Sequence, residues 1–263
     1  MIGNKDCRHN IKRNKKAASP AISMVIITAA TVVLVMVSSG FALQALERQQ
    51  ASAEFDTVQK SVLAFDDAVR DIAWDVGGSR SVRFTTNYGN MRLIATDKTF
   101  QISGPMLSYS FNTSVIQYQM SSGYISLGNG YSSYVLGDEG NLVSSLTDSF
   151  AQVLVSQEKS FASVALNYRV RVSREGPSII VNGQSITYVD ILVIRLNSTS
   201  VAIGSGNFDL TAKNVGLNTE SYRATVSVGD RITVNSGGVE SHIQLDAGEY
   251  MFNLIIADVQ VKF

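Results

Sequence analysis

The chain has 263 residues and a mass of 28.4 kDa, and its 22 basic and 22 acidic side chains leave no formal net charge. A nucleic-acid-binding domain usually has a basic face and a high pI, so this balance argues against that class. The length allows one large domain or two small ones. The only cysteine is Cys7, so the rest of the chain can form no internal disulfide and must be held together by its core.

The most informative segment is a run of thirty residues without a charge, from Ala17 to Leu46. About 20 apolar residues of helix are enough to cross the hydrocarbon core of a bilayer. Six Lys or Arg residues and one acid lie in the leader before this run. Since positive charge beside a span usually stays in the cytoplasm, the sequence predicts a single-pass membrane protein. Its N-terminus would be cytoplasmic and everything after Glu47 extracellular.

Three interpretations of this apolar run compete. A cleaved secretory signal would have an apolar region of only about 7–15 residues, although Val37–Gly40 offers small residues for cleavage. A plain signal anchor would tether an external domain permanently. A prepilin would use the same helix first as a membrane anchor and later as the core of a filament.

The start of the run carries local signals for a helix. Ser19 suits the N-cap, where its hydroxyl can accept a hydrogen bond from an otherwise unsatisfied backbone N–H. Pro20 suits the first helical position, because its missing N–H costs nothing there. These residues predict an exposed, non-helical junction at Ala17–Ala18, open to a membrane peptidase on the cytoplasmic side.

In this region the sequence resembles the archaeal type IV pilin and archaellin class. The resemblance covers about residues 12–46 and consists of a basic leader ending in Lys15-Lys16, a small residue at Ala17, a Ser-Pro pair and a long apolar helix. It implies cleavage after Ala17, so that residues 1–17 are a leader peptide and Ala18 is the new N-terminus. One departure from bacterial pilins is Ile22, which stands where they usually carry Glu.

The resemblance also implies partners. These are membrane lipid, a prepilin peptidase, other pilin subunits and their assembly machinery. From the residues themselves no cofactor is expected, and the balanced charge argues against a nucleic-acid partner.

The helix is predicted to continue beyond the apolar run, because neither Gly nor Pro occurs between Gly40 and Gly77. Apolar residues then recur at spacings of three and four, which place them on one helical face. This predicted head-packing seam consists of Phe55, Val58, Val62, Phe65, Val69 and Ile72. The opposite positions are polar: Glu54, Asp56, Gln59, Lys60, Asp66, Asp67, Arg70 and Asp71.

The predicted helical region is 18–76. A helix from about Pro20 to about Trp74 would be about 80 Å long. Trp74 is expected to close its end as a core residue, and Gly77-Gly78 to end it. An independent coiled coil is the alternative for the seam, but it is too short for three full heptads.

Residues 81–263 are predicted to form an extracellular β-rich head with an antiparallel β-sandwich-like fold, which makes the fold class α+β. A break near residues 142–160, with a short helix or linker, would divide it into two modules. The clearest strand alternates polar and apolar residues over Val164–Val172, with one face buried and one in water. Further strands are predicted at 191–196, 222–228 and 255–263, the last of them paired inside the sheet.

Turn signals recur between these strands. The most specific is Asn182-Gly183, a typical hairpin pair. Others are Asn87-Tyr88-Gly89, Ser121-Ser122-Gly123, Gly128-Asn129-Gly130, Gly137-Asp138-Glu139-Gly140, Gly204-Ser205-Gly206 and Ser236-Gly237-Gly238.

The residues indicate no catalytic, cofactor or metal site, so the chain is predicted not to be an enzyme. Outside the leader the only histidine is His242, expected on a surface strand or hairpin, and no nucleophile-elbow pattern accompanies it. Gly204-Ser205-Gly206 lacks the Lys-Ser/Thr of a phosphate loop. Asp138-Glu139 is better interpreted as a solvated turn than as a cation site.

Five tyrosines in 109–134 either form a sugar- or surface-binding face or alternate along strands. They are Tyr109, Tyr118, Tyr124, Tyr131 and Tyr134. Sequons at Asn112 and Asn197 predict glycan acceptors if the head is outside the cell.

The sequence thus favours a type IV pilin-like structural subunit of a cell-surface filament, and the size of the head favours a minor or adhesive one. The alternative is a signal-anchored extracellular binding protein that does not polymerise.

Overall fold

The computed structural model describes residues 18–181, 184–198 and 202–263. The predicted leader with Lys15, Lys16 and Ala17, the Asn182-Gly183 pair and Thr199 lie outside the described residues. A long helix, α1, covers Ala18–Ile72 and is followed by a large, mostly β domain. The protein is therefore of the α+β class.

The strands of the described residues, in chain order, are β1 (Ser79–Gly104), β2 (Leu107–Ser121), β3 (Ser132–Leu136), β4 (Val143–Ser144), β5 (Ala151–Gln157), β6 (Phe161–Tyr168), β7 (Val170–Val181), β8 (Gln184–Asn197), β9 (Ala202–Val226), β10 (Arg231–Ser236), β11 (Val239–Gln244) and β12 (Gly248–Lys262). Hydrogen bonds join them into one sheet in the order β3-β5-β6-β2-β1-β9-β12-β8-β7-β4. Strand β10 pairs with β1 and with β11.

The chain divides into two compact units within α1, one ending at Gln49 and the other covering Gln50–Phe263. We call the second unit the head. In the first unit, the described part is the N-terminal portion of α1, and its side chains from residue 21 onward are exposed.

The start of α1 differs slightly from the prediction. The helix already includes Ala18, so Ser19 lies inside it rather than capping it, and the predicted non-helical junction does not extend to Ala18. Pro20 also lies within the described helix.

The head has two hydrophobic cores. In the first, the C-terminal part of α1 packs on the sheet, against residues that include Met91, Tyr118, Leu166 and Val259. The second core is formed entirely by strands and their loops, with Phe100, Val172, Ile232 and Phe252 among its members. Strands β1, β2, β8, β9 and β12 contribute to both cores.

Two parallel pairs depart from the predicted antiparallel arrangement. Strand β8 runs parallel to β12, and β4 runs parallel to β7. A parallel pair needs a long crossover connection, and β9, β10 and β11 provide it between β8 and β12. The predicted strand at 191–196 is confirmed as part of central β8, and the strand ending the chain is confirmed between β8 and β9.

The strand predicted over Val164–Val172 is wrong in two respects. It is divided into β6 and β7 at Arg169, and its polar residues Asn167 and Arg169 are buried. The interruption arises because the Arg169 N–H donates to the carbonyl of Phe150 and the Val170 N–H donates to that of Leu142. This stretch therefore has no face in water.

Other local predictions also changed. Residues 142–159 contain β4 and β5 and no helix. The turns predicted at Asn87–Gly89 and Gly204–Gly206 lie inside β1 and β9, where the pairing shifts from Thr86 opposite Gly206 to Met91 opposite Gly204. An interrupted ladder and a turn need similar residues, since both require unusual backbone angles. Gly206 has a φ of 78°.

Candidate anchoring helix and its packing on the sheet

The side chains in the apolar part of α1 are exposed within the protein. One helix among the described residues is long and apolar enough to cross a membrane, and none of its most apolar window is buried. The hydroxyl groups of two threonines in this part are satisfied inside the helix. Thr28 Oγ1 donates to the Met24 carbonyl at 2.7 Å, and Thr31 Oγ1 donates to the Thr28 carbonyl at 2.9 Å. These two side chains therefore need no polar partner from outside.

The predicted head-packing seam lies entirely in the first core. All six residues, Phe55, Val58, Val62, Phe65, Val69 and Ile72, are at most 4% exposed. Phe55 also packs on the Tyr118 ring at 6.0 Å between centroids. Burial of such side chains contributes about 1.5–3 kcal/mol each, so the seam is a major source of head stability.

Glu54 is the main polar contact between α1 and the sheet. Its Oε2 atom accepts a hydrogen bond from the Asn87 N–H at 2.7 Å, and its Oε1 atom accepts bonds from the Tyr88 N–H at 3.0 Å and the Tyr118 hydroxyl at 2.7 Å. The two backbone donors lie where the ladder between β1 and β9 is interrupted. The Glu54 carboxylate thus satisfies N–H groups that lose their strand partner at the interruption.

This role of Glu54 was not predicted, because its spacing placed it on the polar face of the helix. Burial and the hydrogen bond to Glu54 raise the pKa of Tyr118 well above its usual range. Tyr118 therefore remains protonated, and its hydroxyl remains a donor, at all physiological pH values.

At the other end of the seam, Asn214 holds the C-terminus of α1. Its Nδ2 atom donates to the carbonyls of Ile72 at 3.1 Å and Ala73 at 2.7 Å, and the side chain is fully buried. Carbonyls at a helix end have no partner within the helix, so this amide caps them. Trp74 stacks on Phe150 at 6.3 Å but is 41% exposed, so the prediction of a core residue is wrong.

Asp66 was predicted on the polar face of α1 but is only 2% exposed. It follows Val62 by four residues and precedes Val69 by three, so it lies at the border of the seam. Burial raises the pKa of Asp66. The positive charge of Arg70 opposes this shift, and the Arg70 Nε atom lies 3.1 Å from the Asp66 Oδ2 atom. Burial and the charge of Asp66 also raise the pKa of Tyr168 well above its usual value.

A second buried charge is Arg169, where the strand prediction failed. Its side chain is 1% exposed; Nη2 donates to the Ser149 carbonyl, and Nη1 lies 3.6 Å from Asp138 Oδ2. Its Nε and Nη1 atoms have no hydrogen-bond partner among the described residues. Arg171 lies beside it with its guanidinium over the Phe150 ring at 4.7 Å. This cluster links the start of β7 to the segment 138–150, which contains β4.

No family model, curated protein or solved structure matches this chain. The resemblance of residues 12–46 to archaeal pilins therefore depends on the sequence of that segment alone.

The remaining candidate residues do not converge on one chemical site. His242 is exposed on β11, opposite Thr233, as predicted for a surface strand residue. Among the described residues, no three His, Cys, Asp or Glu side chains are grouped to hold a metal ion. Asp138 of the predicted turn is 70% exposed, as expected for a solvated turn, and its Oδ2 atom lies 3.6 Å from Arg169 Nη1.

The five tyrosines do not form one face. Tyr118 is buried in the first core, whereas Tyr109 packs against the second. Both sequon asparagines are in strands: Asn112 is exposed and accepts a hydrogen bond from Thr99 Oγ1 at 2.8 Å, and Asn197 donates to Asp258 at 3.3 Å. Glycosylation of these residues stays a prediction.

Proposed function

We propose that this protein is a type IV pilin-like structural subunit of a cell-surface filament. The observation that carries the proposal is a single helix with two kinds of surface. Residues 21–46 carry no charged side chain and are exposed. The seam at residues 55–72, in contrast, is buried against a β-rich head. An exposed apolar surface of this size requires a covering of lipid or of other apolar helices.

In the proposed mechanism the subunit has no catalytic residues. The basic leader stays in the cytoplasm, residues 21–46 cross the membrane, and the head is extracellular. After cleavage behind Ala17, the apolar helices exchange lipid for one another and form the core of a filament. The size of the head favours a minor or adhesive subunit. We also propose that the head packs as a sandwich, which the second core supports because strands and loops alone enclose it.

The decisive experiment is N-terminal sequencing of the protein extracted from membranes. A mature start at Ala18 is expected, and an intact Met1 would contradict the proposal. Replacement of Ala17 by Glu should leave the uncut precursor, because the peptidase requires a small residue there by resemblance. Lys5→Glu, which changes charge in the same leader far from the cut, is the matched control. Unchanged gel mobility of the Ala17→Glu variant would refute the predicted site.

The alternative is a permanently anchored binding protein. It is favoured by a cleft of about 460 Å³ in the head, lined by Thr99, Tyr134, Gln152 and Gly237 among others. A start at Met1, together with a protein that stays in the membrane and forms no filament, would support this alternative. A start near Phe41 would instead indicate secretion.

A further inference from the structure

The cleft of about 460 Å³ in the head lies where several strands of the sheet meet. Its lining comes from β1, from the neighbouring strands β3 and β5, from the segment 140–142 and from the hairpin between β10 and β11. Binding sites for small molecules commonly have volumes of about 300–1,000 Å³. The cleft is therefore large enough for a small organic ligand.

Hydrogen bonds fix the parts of the chain that line the cleft. The Leu142 N–H donates to Ser241 Oγ at 2.9 Å, and the Ser241 hydroxyl donates to the Gly140 carbonyl at 3.2 Å, which joins β11 to the segment 140–142. The hairpin turn at Gly237 and Gly238 has φ values of 59° and 81°, as a tight two-residue hairpin turn requires. The cleft is thus bounded by well-bonded backbone.

Gln152 supplies a buried polar group to the lining. Its side chain is only 4% exposed, and its Nε2 atom donates to the carbonyls of Asp138 at 2.7 Å and Asn141 at 3.1 Å. Both bonds come from the nitrogen, so Oε1 has no donor within the part of the chain that the structure describes. An acceptor without a donor is unfavourable in a buried position. Because Gln152 lines the cleft, a ligand there can supply the missing donor.

Two hydroxyl groups in the lining can bond to the same ligand. Burial and the negative charge of Glu139 raise the pKa of Tyr134, so its hydroxyl stays protonated and can donate. The Thr99 hydroxyl donates to Asn112 Oδ1 at 2.8 Å, which leaves its oxygen free to accept. A ligand that fits these groups must therefore donate hydrogen bonds as well as accept them.

The charges at the cleft favour a neutral ligand. Lys98 lines the cleft, and the carboxylate of Glu139 acts on Tyr134 from nearby, so positive and negative charge are both present. An anion would place a further acceptor against the Gln152 oxygen, and a purely apolar ligand would leave that oxygen unpaired.

A sugar has the required combination of groups. Its hydroxyls both donate and accept, and the C–H face of its ring can pack on the Tyr134 ring, on Leu142 and on Val239. We propose that this cleft binds a neutral sugar, as a free saccharide or as one unit of a glycan. The inference goes beyond the filament function and requires only a folded head, so it does not depend on cleavage or polymerisation.

The test is saturation-transfer difference NMR on the full chain in micelles of lauryldimethylamine oxide, a detergent without a sugar headgroup. The probes are D-glucose, D-galactose, D-mannose and N-acetyl-D-glucosamine, with D-glucuronate and adenosine for comparison. We expect saturation transfer to at least one neutral sugar and none to glucuronate or adenosine.

Three variants locate the binding. Thr99→Trp should fill the cleft and abolish the transfer, whereas Thr219→Trp, the same change at an exposed position of β9, should leave it intact. Tyr134→Phe removes a hydroxyl and leaves the ring in place. Loss of one hydrogen bond should raise the Kd of the sugar about two- to tenfold in a titration. Near-ultraviolet circular dichroism checks that each variant is folded.

Several results would overturn the proposal. These are the absence of transfer to every neutral sugar, transfer to glucuronate or adenosine instead, and an unchanged Kd in both Thr99→Trp and Tyr134→Phe. Sugar binding by a protein that keeps Met1 would leave the cleft proposal standing while the filament proposal fails. A mature start at Ala18 without sugar binding would give the opposite result.

Discussion

Replacement of Glu54 by Gln should lower the free energy of unfolding of the head, although it changes only one carboxylate oxygen into an amide nitrogen. The carboxylate accepts three short hydrogen bonds, from the Asn87 and Tyr88 N–H groups and the Tyr118 hydroxyl. A glutamine has one acceptor oxygen, so its amide nitrogen would face one of these donors. That loses one bond to a charged group, about 1.5–3 kcal/mol, and the other two become neutral bonds that are each weaker by about 1 kcal/mol. Because Glu54 is half-buried, we expect a total loss of about 2–4 kcal/mol.

The assay is urea unfolding of the full chain in detergent micelles, followed by the fluorescence of Trp74, the only tryptophan. Asp56→Asn is the matched control, because it removes a carboxylate from an exposed position of the same helix. A double-mutant cycle with Tyr118→Phe should give a coupling energy of about 1 kcal/mol or more. If Glu54→Gln and Asp56→Asn differ by less than about 0.5 kcal/mol, the contact has no energetic importance and the reasoning is refuted.

Three further predictions concern the same head. Phe65→Ala should cost about 3–5 kcal/mol because it leaves a cavity in the seam, whereas the exposed Lys60→Ala should cost less than about 0.5 kcal/mol in the same urea titration. Deletion of residues 259–263 should abolish the cooperative unfolding transition, because these residues pair between β8 and β9; a folded head in circular dichroism would contradict it. Stability should fall as pH rises above about 10, because Tyr118 and Tyr168 have raised pKa values when folded and ionise only after unfolding. Tyr118→Phe should reduce this dependence, and an unchanged pH profile in that variant would count against the buried hydroxyl.

The α+β class could be predicted because each element has a local signal. The seam residues recur with the helical period, and their burial needs only an apolar surface to cover them. The same period misplaced Asp66, since a helix surface has no sharp edge and a carboxylate can be covered when Arg70 is near it. Burial of a charge depends on partners that sequence spacing does not identify.

The long-range contacts could not be predicted from the sequence. Asn214 reaches Ile72 across 142 residues, and nothing in a run of alternating residues near 214 identifies a helix cap. Glu54 gave a weak signal, since it follows Ala51 by three residues and lies beside Phe55. Arg169 was predicted to lie on the solvent-exposed face of a strand, because an arginine within an alternating pattern is usually exposed.

The two parallel pairs were missed for a related reason. Strand pairing is a property of the whole topology, and alternation within a strand does not identify its neighbour. Strand β8 was correctly expected in the centre because of its continuous apolar run, which is typical of strands buried on both faces.

The cap that Asn214 supplies also has a kinetic consequence. A ribosome releases the amphipathic part of α1 long before it makes the strands that cover it, and pairings so distant in sequence form slowly, in about milliseconds to seconds. In that interval the apolar seam of α1 has no strands to cover it and is open to non-native contacts. The rate at which these distant strands pair therefore sets how long the apolar seam stays uncovered during folding.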